Sequence, residues 1–428
     1  MMAILLVGCT GFLGEALLYK LLKETKHHIL LAIRNKENKN IDQRLSEMMD
    51  SISLNKNDYI ERIRPIQVSY DDQRNISISS KDETYVKNNA CILVNALADV
   101  HMNRELRKAT LNNTVTALNW LTLFKQCKKA ELYLYISTAY VNFHRMSSGE
   151  IPEEILEKNM TRNTLSNILE NKESSIGNYE NTYVYSKQLA EILLNEEREK
   201  LRLVIIRPSV IIPALEAPYP GWGKIQTMSY MLLGIGSGLL SFVRHNKNMN
   251  QNTVPVDIVA EDCLMVIEKD TEKKELEVRH CCLTGNVKTW FSPESTNIIR
   301  ERAYDYFMIN PLILNNKRLF PYKLEYKRSW FHLFVTFIAH LIRMIYHWWK
   351  WSDSWYDFFR IIYKNMVFTY KFDRNLTKFS QKKIVYKRQP KHNDIKYPVV
   401  AFEDCYYEFV KNMQNVISSD NKIINLFF

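Results

Sequence analysis

The chain has 428 residues, 46% hydrophobic and 25% charged, with a formal net charge of +11. That length holds a large α/β domain plus a smaller unit, and the composition argues against a disordered chain. The positive excess favours acidic partners, but no zinc-finger spacing or other nucleic-acid signature accompanies it, so no nucleic-acid partner is expected. The seven cysteines are an odd set without C-x-x-C spacing or clustered histidines. They argue against a disulfide framework, point to a reducing compartment, and leave no metal site to expect.

In chain order, Ala3–Val7 is a short apolar run that reads as a buried parallel strand. It has no basic leader and runs straight into a glycine turn, so it is read as a strand and not as a signal peptide. A helical stretch, Glu15–Leu22, follows. Further strands are expected at His28–Ile33, Ile66–Val68, Ala90–Ala96, Leu132–Ser137 and Leu203–Ile206, with helical segments between them. Strands alternating with helices predict an α/β fold, a Rossmann-type doubly wound parallel sheet covered on both faces. Asn38–Asp58 and Glu150–Asn181 read as polar insertions. After about residue 290 aromatic and basic residues dominate, which places a domain boundary there: 1–290 as the nucleotide-binding domain with substrate-binding insertions, 291–428 as a smaller, mainly helical domain. Within the latter, Trp330–Trp351 nearly reaches the length of a bilayer span, yet His332, His340 and Arg343 interrupt it. A packed helix, an interfacial helix and an imperfect span all remain open for it.

Between the first strand and its helix lies Gly8-Cys9-Thr10-Gly11-Phe12-Leu13-Gly14, a G-x-x-G-x-x-G loop. Gly8 permits the tight turn, Gly11 the close approach of a pyrophosphate to backbone, and Gly14 the packing of helix on strand. Three of the chain's 11 glycines fall in this one context. The expected ligand is a nicotinamide dinucleotide, held by Gly8, Thr10, Gly11, Phe12, Leu13 and Gly14. At the end of the second strand, where NAD enzymes carry a carboxylate for the ribose 2′-hydroxyl, stands Arg34. A cation there suits a 2′-phosphate, so NADPH is the expected cofactor.

Tyr183-Val184-Tyr185-Ser186-Lys187 contains Y-x-x-x-K. On a helix this spacing puts both side chains on one face, where the ammonium would lower the phenol pKa and tune Tyr183 to protonate a carbonyl oxygen. Lys187 could also hold the nicotinamide ribose. The same spacing occurs at Tyr19/Lys23, Tyr346/Lys350 and Tyr407/Lys411, so position decides. Tyr183 follows a strand ending in Ser137-Thr138, and Thr138 is the expected hydroxyl for the substrate oxygen, with Ser137 the alternative.

Taken together, these residues resemble the eukaryotic fatty acyl-CoA reductases, also called male-sterility-type proteins, within the extended short-chain dehydrogenases. The resemblance runs through T-G-F-L-G at Thr10–Gly14, I-R-N-K at Ile33–Lys36, R-L-S-E at Arg44–Glu47, I-S-T-A-Y-V-N at Ile136–Asn142 and N-T-Y-V-Y-S-K at Asn181–Lys187. It continues through I-R-P-S at Ile206–Ser209, P-Y-P-G-W at Pro218–Trp222, V-P-V-D at Val254–Asp257 and the segment Phe368–Asp373. It implies NADPH-dependent reduction of a long-chain acyl-CoA to an aldehyde and then an alcohol, with Thr138, Tyr183 and Lys187 as the catalytic set. Ala96 is implied near the phosphates, and Pro208 and Ser209 as backbone near the nicotinamide. The family's Gly-Asp after the third strand is replaced by Ser69-Tyr70, and the chain stops without the strong terminal membrane span of many members. A membrane surface facing the cytosol, endoplasmic reticulum or peroxisome, is the expected location. Met231–Val243 could line an acyl channel or lie on that membrane, or be ordinary core. Two rival readings exist: another reductase or epimerase of this fold, acting on sterols, phenylpropanoids or nucleotide sugars, and a non-catalytic NADP-binding scaffold. Pro218–Trp222 and the aromatic C-terminal region argue against the first, the intact Thr138/Tyr183/Lys187 set against the second.

Overall fold

A computed structural model describes residues 2–35, 39–102, 104–145, 148–224, 253–269 and 275–282, with backbone alone at 242–244, 323–325 and 383–386. The chain divides into two compact units, Met1–Pro218 with Asn252–Gly285 and Ile384–Pro398, and Tyr219–Gln251 with Asn286–Lys383 and Val399–Phe428. In chain order the elements begin β1 (Ala3–Val7), α1 (Phe12–Glu24), β2 (His28–Ile33), α2 (Ile41–Ser51), β3 (Ile63–Tyr70), β4 (Ile76–Ile78), α3 (Ser80–Asn89) and β5 (Ala90–Asn95). They continue with α4 (Leu106–Thr110), α5 (Thr116–Lys125), β6 (Leu132–Ile136), β7 (Ser148–Ile151), α6 (Arg162–Leu169), α7 (Thr182–Glu197), β8 (Arg202–Pro208) and β9 (Val210–Ile212). After these come β10 (Phe242–Arg244), β11 (Thr253–Pro255), α8 (Val256–Glu268), β12 (Leu276–Cys281) and β13 (Lys323–Glu325).

The first unit is built on one eight-stranded sheet in the order β12-β8-β6-β5-β1-β2-β3-β4. Every pairing is parallel except β3 with β4. This is the Rossmann-type doubly wound sheet that the residue pattern predicts. All six expected strands are present. The pattern did not reveal β4 or β12, since β4 is three residues long and β12 (LEVRHC) carries charges. Those charges are neutralised inside: Arg279 pairs with Asp262 of α8 at 2.9 Å, both almost fully buried.

The central strands are apolar on both faces because helices cover both. All residues of β5, β6 and β8 are buried. Leu5 and Val7 of β1 join Leu118 and Leu121 of α5 and Leu189 and Leu193 of α7 in one core. By strand alternation Ile4 and Leu6 face the opposite layer, where α1 packs against α8. That helix pair is tied at its rim by Lys20 to Glu261 (2.6 Å) and His27 to Glu268 (2.8 Å). The Asn38–Asp58 insertion contains α2, started by a capping box between Asn40 and Gln43. The six described cysteines are all buried and unbridged.

Of the second unit, β10 and β13 pair in parallel. The expected segments Trp330–Trp351 and Phe368–Asp373, and Met231–Val243 apart from the backbone at its end, lie outside the described residues. Among the described residues no helix is long and apolar enough to cross a membrane.

Candidate active site

The chain enters the sheet at its centre. From β1 it runs outward through β2 and β3, then returns to the other side at β5, so the carboxyl ends of β1 and β5 bracket the point where strand order reverses. The glycine loop sits there. Gly8 has φ +81°, and a Cβ on it would lie 2.6 Å from the Leu97 nitrogen and 2.7 Å from the Ala96 carbonyl carbon. Ala96, which donates to the Val7 carbonyl at 2.9 Å, thus forms the floor against which Gly8 packs. A Cβ on Gly14 would lie 2.1 Å from the Gly8 oxygen, so only glycine lets α1 start this close to β1. Gly11 is exposed and is the N-cap of α1 without a side-chain cap. Phe12 and Leu13 turn their side chains into the core and give their main chain to the first turn. A helix N-terminus without a side-chain cap, beneath an exposed glycine, presents the positive end of the helix dipole. These residues fit the pyrophosphate of a nicotinamide dinucleotide.

At the end of β2, Arg34 is exposed, its guanidinium 5.8 Å from the Tyr70 ring centroid. A second cation stands beside it. Arg44 of α2 donates to the Arg34 carbonyl, and its other amino group donates to Thr10 Oγ1 at 3.0 Å. Tyr70, at the position where the resemblance expects an aspartate, accepts from Trp120 Nε1 at 3.0 Å, and burial pushes its phenol pKa up. Cys9 within the loop is an inert thiol. Burial pushes its pKa to about 12, and Sγ faces the Ala32 carbonyl at 3.5 Å.

The Y-x-x-x-K pair lies on α7, which starts at Asn181, whose side chain accepts from Val184 N at 2.9 Å. Tyr183, Lys187 and Glu191 follow at i, i+4 and i+8 and so share a face. Lys187 is fully buried. Its Nζ donates to the Ile136 carbonyl at 2.6 Å and stands 4.3 Å from the Tyr135 ring centroid. Burial pulls its pKa down to about 7, against the opposing field of Glu191. Tyr183 is only partly exposed, and desolvation raises its phenol pKa. The i, i+4 spacing alone predicts the opposite direction. The reason is that the ammonium is aimed at the end of β6, not at the phenol, and desolvation then dominates. Glu191 is held by a bidentate pair with Arg207 of β8, at 3.0 and 2.6 Å, both side chains fully buried. This pair locks the helix to the strand that ends in Pro208 and Ser209.

At the end of β6, Ser137 N donates to the Ile206 carbonyl at 2.7 Å, joining the ends of β6 and β8. Thr138 Oγ1 accepts from Tyr140 N at 3.5 Å, a long contact that belongs to the turn it begins. The hydroxyls of Ser137 and Ser209 are buried and have no hydrogen-bond partner among the described residues. Ser209 N donates to the Cys281 carbonyl at 3.1 Å. Thr138, Pro208 and Ser209 thus lie at the carboxyl edge of the sheet beside the strand end that Lys187 reaches, while Arg34, Thr10 and Ala96 cluster around the glycine loop.

Sequence reasoning missed Arg44, Tyr135 and Asn113. Between α4 and α5 the helix widens into a π-helical turn, Leu111–Val115. There Asn113 Nδ2 donates to Ser186 Oγ at 2.9 Å and to the Asp99 carbonyl at 3.1 Å, and Oδ1 accepts from Asp99 N at 2.8 Å. Thr114 Oγ1 donates to the Ser186 carbonyl at 2.8 Å. One amide therefore fixes the segment after β5 and the residue next to Lys187 together. π-turns concentrate at such sites, but an Asn-Asn pair inside a helical pattern carries no signal of one.

Comparison with known proteins bears on this geometry. Human fatty acyl-CoA reductase 1 is 29% identical over 272 residues, 60% of this chain and 52% of its own length, and mouse fatty acyl-CoA reductase 2 matches over the same shares at 29%. The chain therefore spans about half the length of the curated relatives it matches. Among solved structures, the terminal R domain of the myxalamid PKS-NRPS biosynthetic pathway superposes with a TM-score of 0.66 at 17% identity, covering 98% of this chain and 91% of that one, which speaks for the fold alone. Residues 6–263, which hold the glycine loop, Tyr183 and Lys187, match the family profile described as male sterility protein, and the chain is a member of that family.

Proposed function

We propose that the protein is an NADPH-dependent fatty acyl-CoA reductase, converting a long-chain acyl-CoA through the aldehyde to the fatty alcohol with release of CoA. The observation that carries this reading is the α7 face bearing Tyr183 and Lys187, set beside the ends of β6 and β8 in a male-sterility-family chain. Two relatives named fatty acyl-CoA reductase support the substrate class. Arg34, with Arg44 beside it, supports a 2′-phosphorylated cofactor, because a carboxylate there would repel the phosphate.

The nicotinamide cofactor, when bound, supplies hydride. The chain's own residues do the rest. The Tyr183 phenol stays protonated at neutral pH because burial raises its pKa, which suits a donor of one proton to the carbonyl oxygen. Thr138, or Ser137 with its uncommitted hydroxyl, holds that oxygen. Lys187, whose ammonium is directed at the Ile136 carbonyl, holds the cofactor ribose. As the C–S bond breaks, the adduct's hydroxyl proton returns to Tyr183 and the departing thiolate takes a proton from solvent, so that with a second NADPH the reprotonated phenol serves the aldehyde reduction.

The test is NADPH consumption by the purified protein with palmitoyl-CoA, with extracted lipids identified. Hexadecanol, or hexadecanal on the way to it, is expected. NADPH binding without product from short, medium or long acyl-CoAs would overturn the reading.

A further inference from the structure

Lys187 is a fully buried ammonium with no carboxylate bonded to it among the described residues. The nearest acid on its own face, Glu191, is already committed to Arg207 in the bidentate pair. What meets the cation directly is one carbonyl, that of Ile136, and one aromatic face, that of Tyr135. Among the described residues, the charged or titratable groups facing it are Tyr183 and Glu191 on α7 and Tyr135 on β6, with Arg207 on β8 paired to Glu191.

The two β6 tyrosines differ in a telling way. Tyr133 uses its hydroxyl, donating to the Ala117 carbonyl at 3.0 Å and accepting from Asn95 Nδ2 at 2.8 Å. Tyr135 is equally buried, yet its hydroxyl has no hydrogen-bond partner among the described residues. Its ring meets that of Tyr133 edge-on, with centroids 6.3 Å apart, which leaves its face for Lys187. The face of an aromatic ring carries negative potential, and the attraction to a cation grows when both are desolvated.

We propose that Tyr135 is a positioning residue for Lys187: its ring face, 4.3 Å from Nζ, is the counter-group that keeps the buried ammonium charged and directed at the end of β6. A carboxylate in that place would bond the ammonium firmly and fix it there. A neutral ring favours the charge without competing for its hydrogen bonds, so Nζ keeps donors for the Ile136 carbonyl and for a cofactor hydroxyl. The proposal rests on the reading of Lys187 as part of the reductase site.

The experiment replaces Tyr135 by phenylalanine and by a graded series of fluorinated phenylalanines, which keep the shape of the ring while draining its face of negative potential. Lys187 is followed by the ¹³Cε signal of lysine-labelled protein, assigned by its loss in Lys187→Arg, and kcat is measured against pH in parallel. Tyr135→Phe should retain the wild-type Lys187 titration. Each added fluorine should move the titration, and the basic limb of kcat, to lower pH, by about half to one and a half pH units across the series. A titration that stays in place across folded members of the series overturns the role of Tyr135, whatever the turnover. A titration that moves while no acyl-CoA is reduced upholds it and overturns the functional reading instead. Tyr135→Leu, if folded, should shift at least as far as the most fluorinated ring.

Discussion

Three side chains carry the chemistry proposed for this site, and each makes a separable prediction. Tyr183 is kept as a phenol by desolvation, so it is poised to give a proton. Tyr183→Phe should lower kcat by about 10²–10⁴-fold, the usual worth of a placed general acid, with NADPH affinity by fluorescence titration nearly unchanged. Near-full turnover in that variant would remove Tyr183 from the role. Arg34 is exposed at the end of β2 with Arg44 bonded to its carbonyl. Arg34→Asp should cut the preference for NADPH over NADH by about 10–100-fold, the equivalent of one or two charge-assisted hydrogen bonds. An unaltered ratio of the two dissociation constants would contradict a 2′-phosphate at this position. Lys187 has its pKa pulled down to about 7 by burial. Between about pH 7 and the ordinary lysine value of about 10.5 the unfolded chain therefore holds more protons at this residue than the folded one. Its contribution to stability is least favourable below pH 7 and improves as pH rises through that window. Denaturant midpoints measured from pH 6 to 10 should show this rise in the wild type and a flatter profile in Lys187→Met.

At the scale of elements, the site depends on connections that hold strand ends and helix starts in register. Asp257 in the first turn of α8 shows how. Its carboxylate accepts from three successive backbone amides, Leu215 N (3.0 Å), Glu216 N (2.8 Å) and Ala217 N (3.2 Å), and so fixes the loop that follows β9. The V-P-V-D motif thereby gains a mechanical meaning: β11 pairs with β9, and two residues after β11 ends at Pro255 comes the acid that clamps the chain leaving β9. Asp257→Ala should destabilise the first unit by about 1.5–3 kcal/mol and expose the 213–218 loop to limited proteolysis, since bonds to a charged acceptor are among the strong ones. Unchanged cleavage and an unchanged unfolding midpoint would show that the loop is held by other contacts. The glycine loop is the same kind of device, made of absences. A methyl at Gly14 would collide with the Gly8 carbonyl, so helix, turn and strand keep their spacing only without side chains.

The whole molecule carries a formal charge of +11. A positive surface attracts anionic lipid by about 1 kcal/mol per basic residue close to it, and salt screens that attraction over about 8–10 Å. The protein should therefore co-sediment with vesicles containing phosphatidylserine at low salt and be released as salt rises, with weak retention on neutral phosphatidylcholine vesicles. Salt-insensitive retention on both would point to apolar insertion in place of charge. Most of the glycine-loop half of the candidate site was legible without coordinates. Gly8, Gly11, Gly14, Thr10 and Arg34 sit within one strand-turn-helix-strand stretch, where short apolar runs and glycine spacing fix the local backbone. The other half was legible only as spacing. Y-x-x-x-K places Tyr183 and Lys187 on one face of a helix, and the Ser137-Thr138 strand end was expected beside it. The sequence alone therefore determined the six strands β1, β2, β3, β5, β6 and β8, the glycine loop at the first helix and the single helical face of α7, because these follow from neighbours within a few residues. Only the tertiary structure decided where the charge on that face goes. The Ile136 carbonyl, the Tyr135 ring, the Arg207 clamp on Glu191, Arg44 beside Arg34 and Asn113 against Ser186 lie 10 to 73 residues from their partners in sequence. They meet because parallel strands distant in sequence lie side by side in the sheet, whose strand order reverses at its centre. Burial there removed the water that would have kept Tyr183 and Lys187 near their ordinary pKa values, which no spacing rule can foresee.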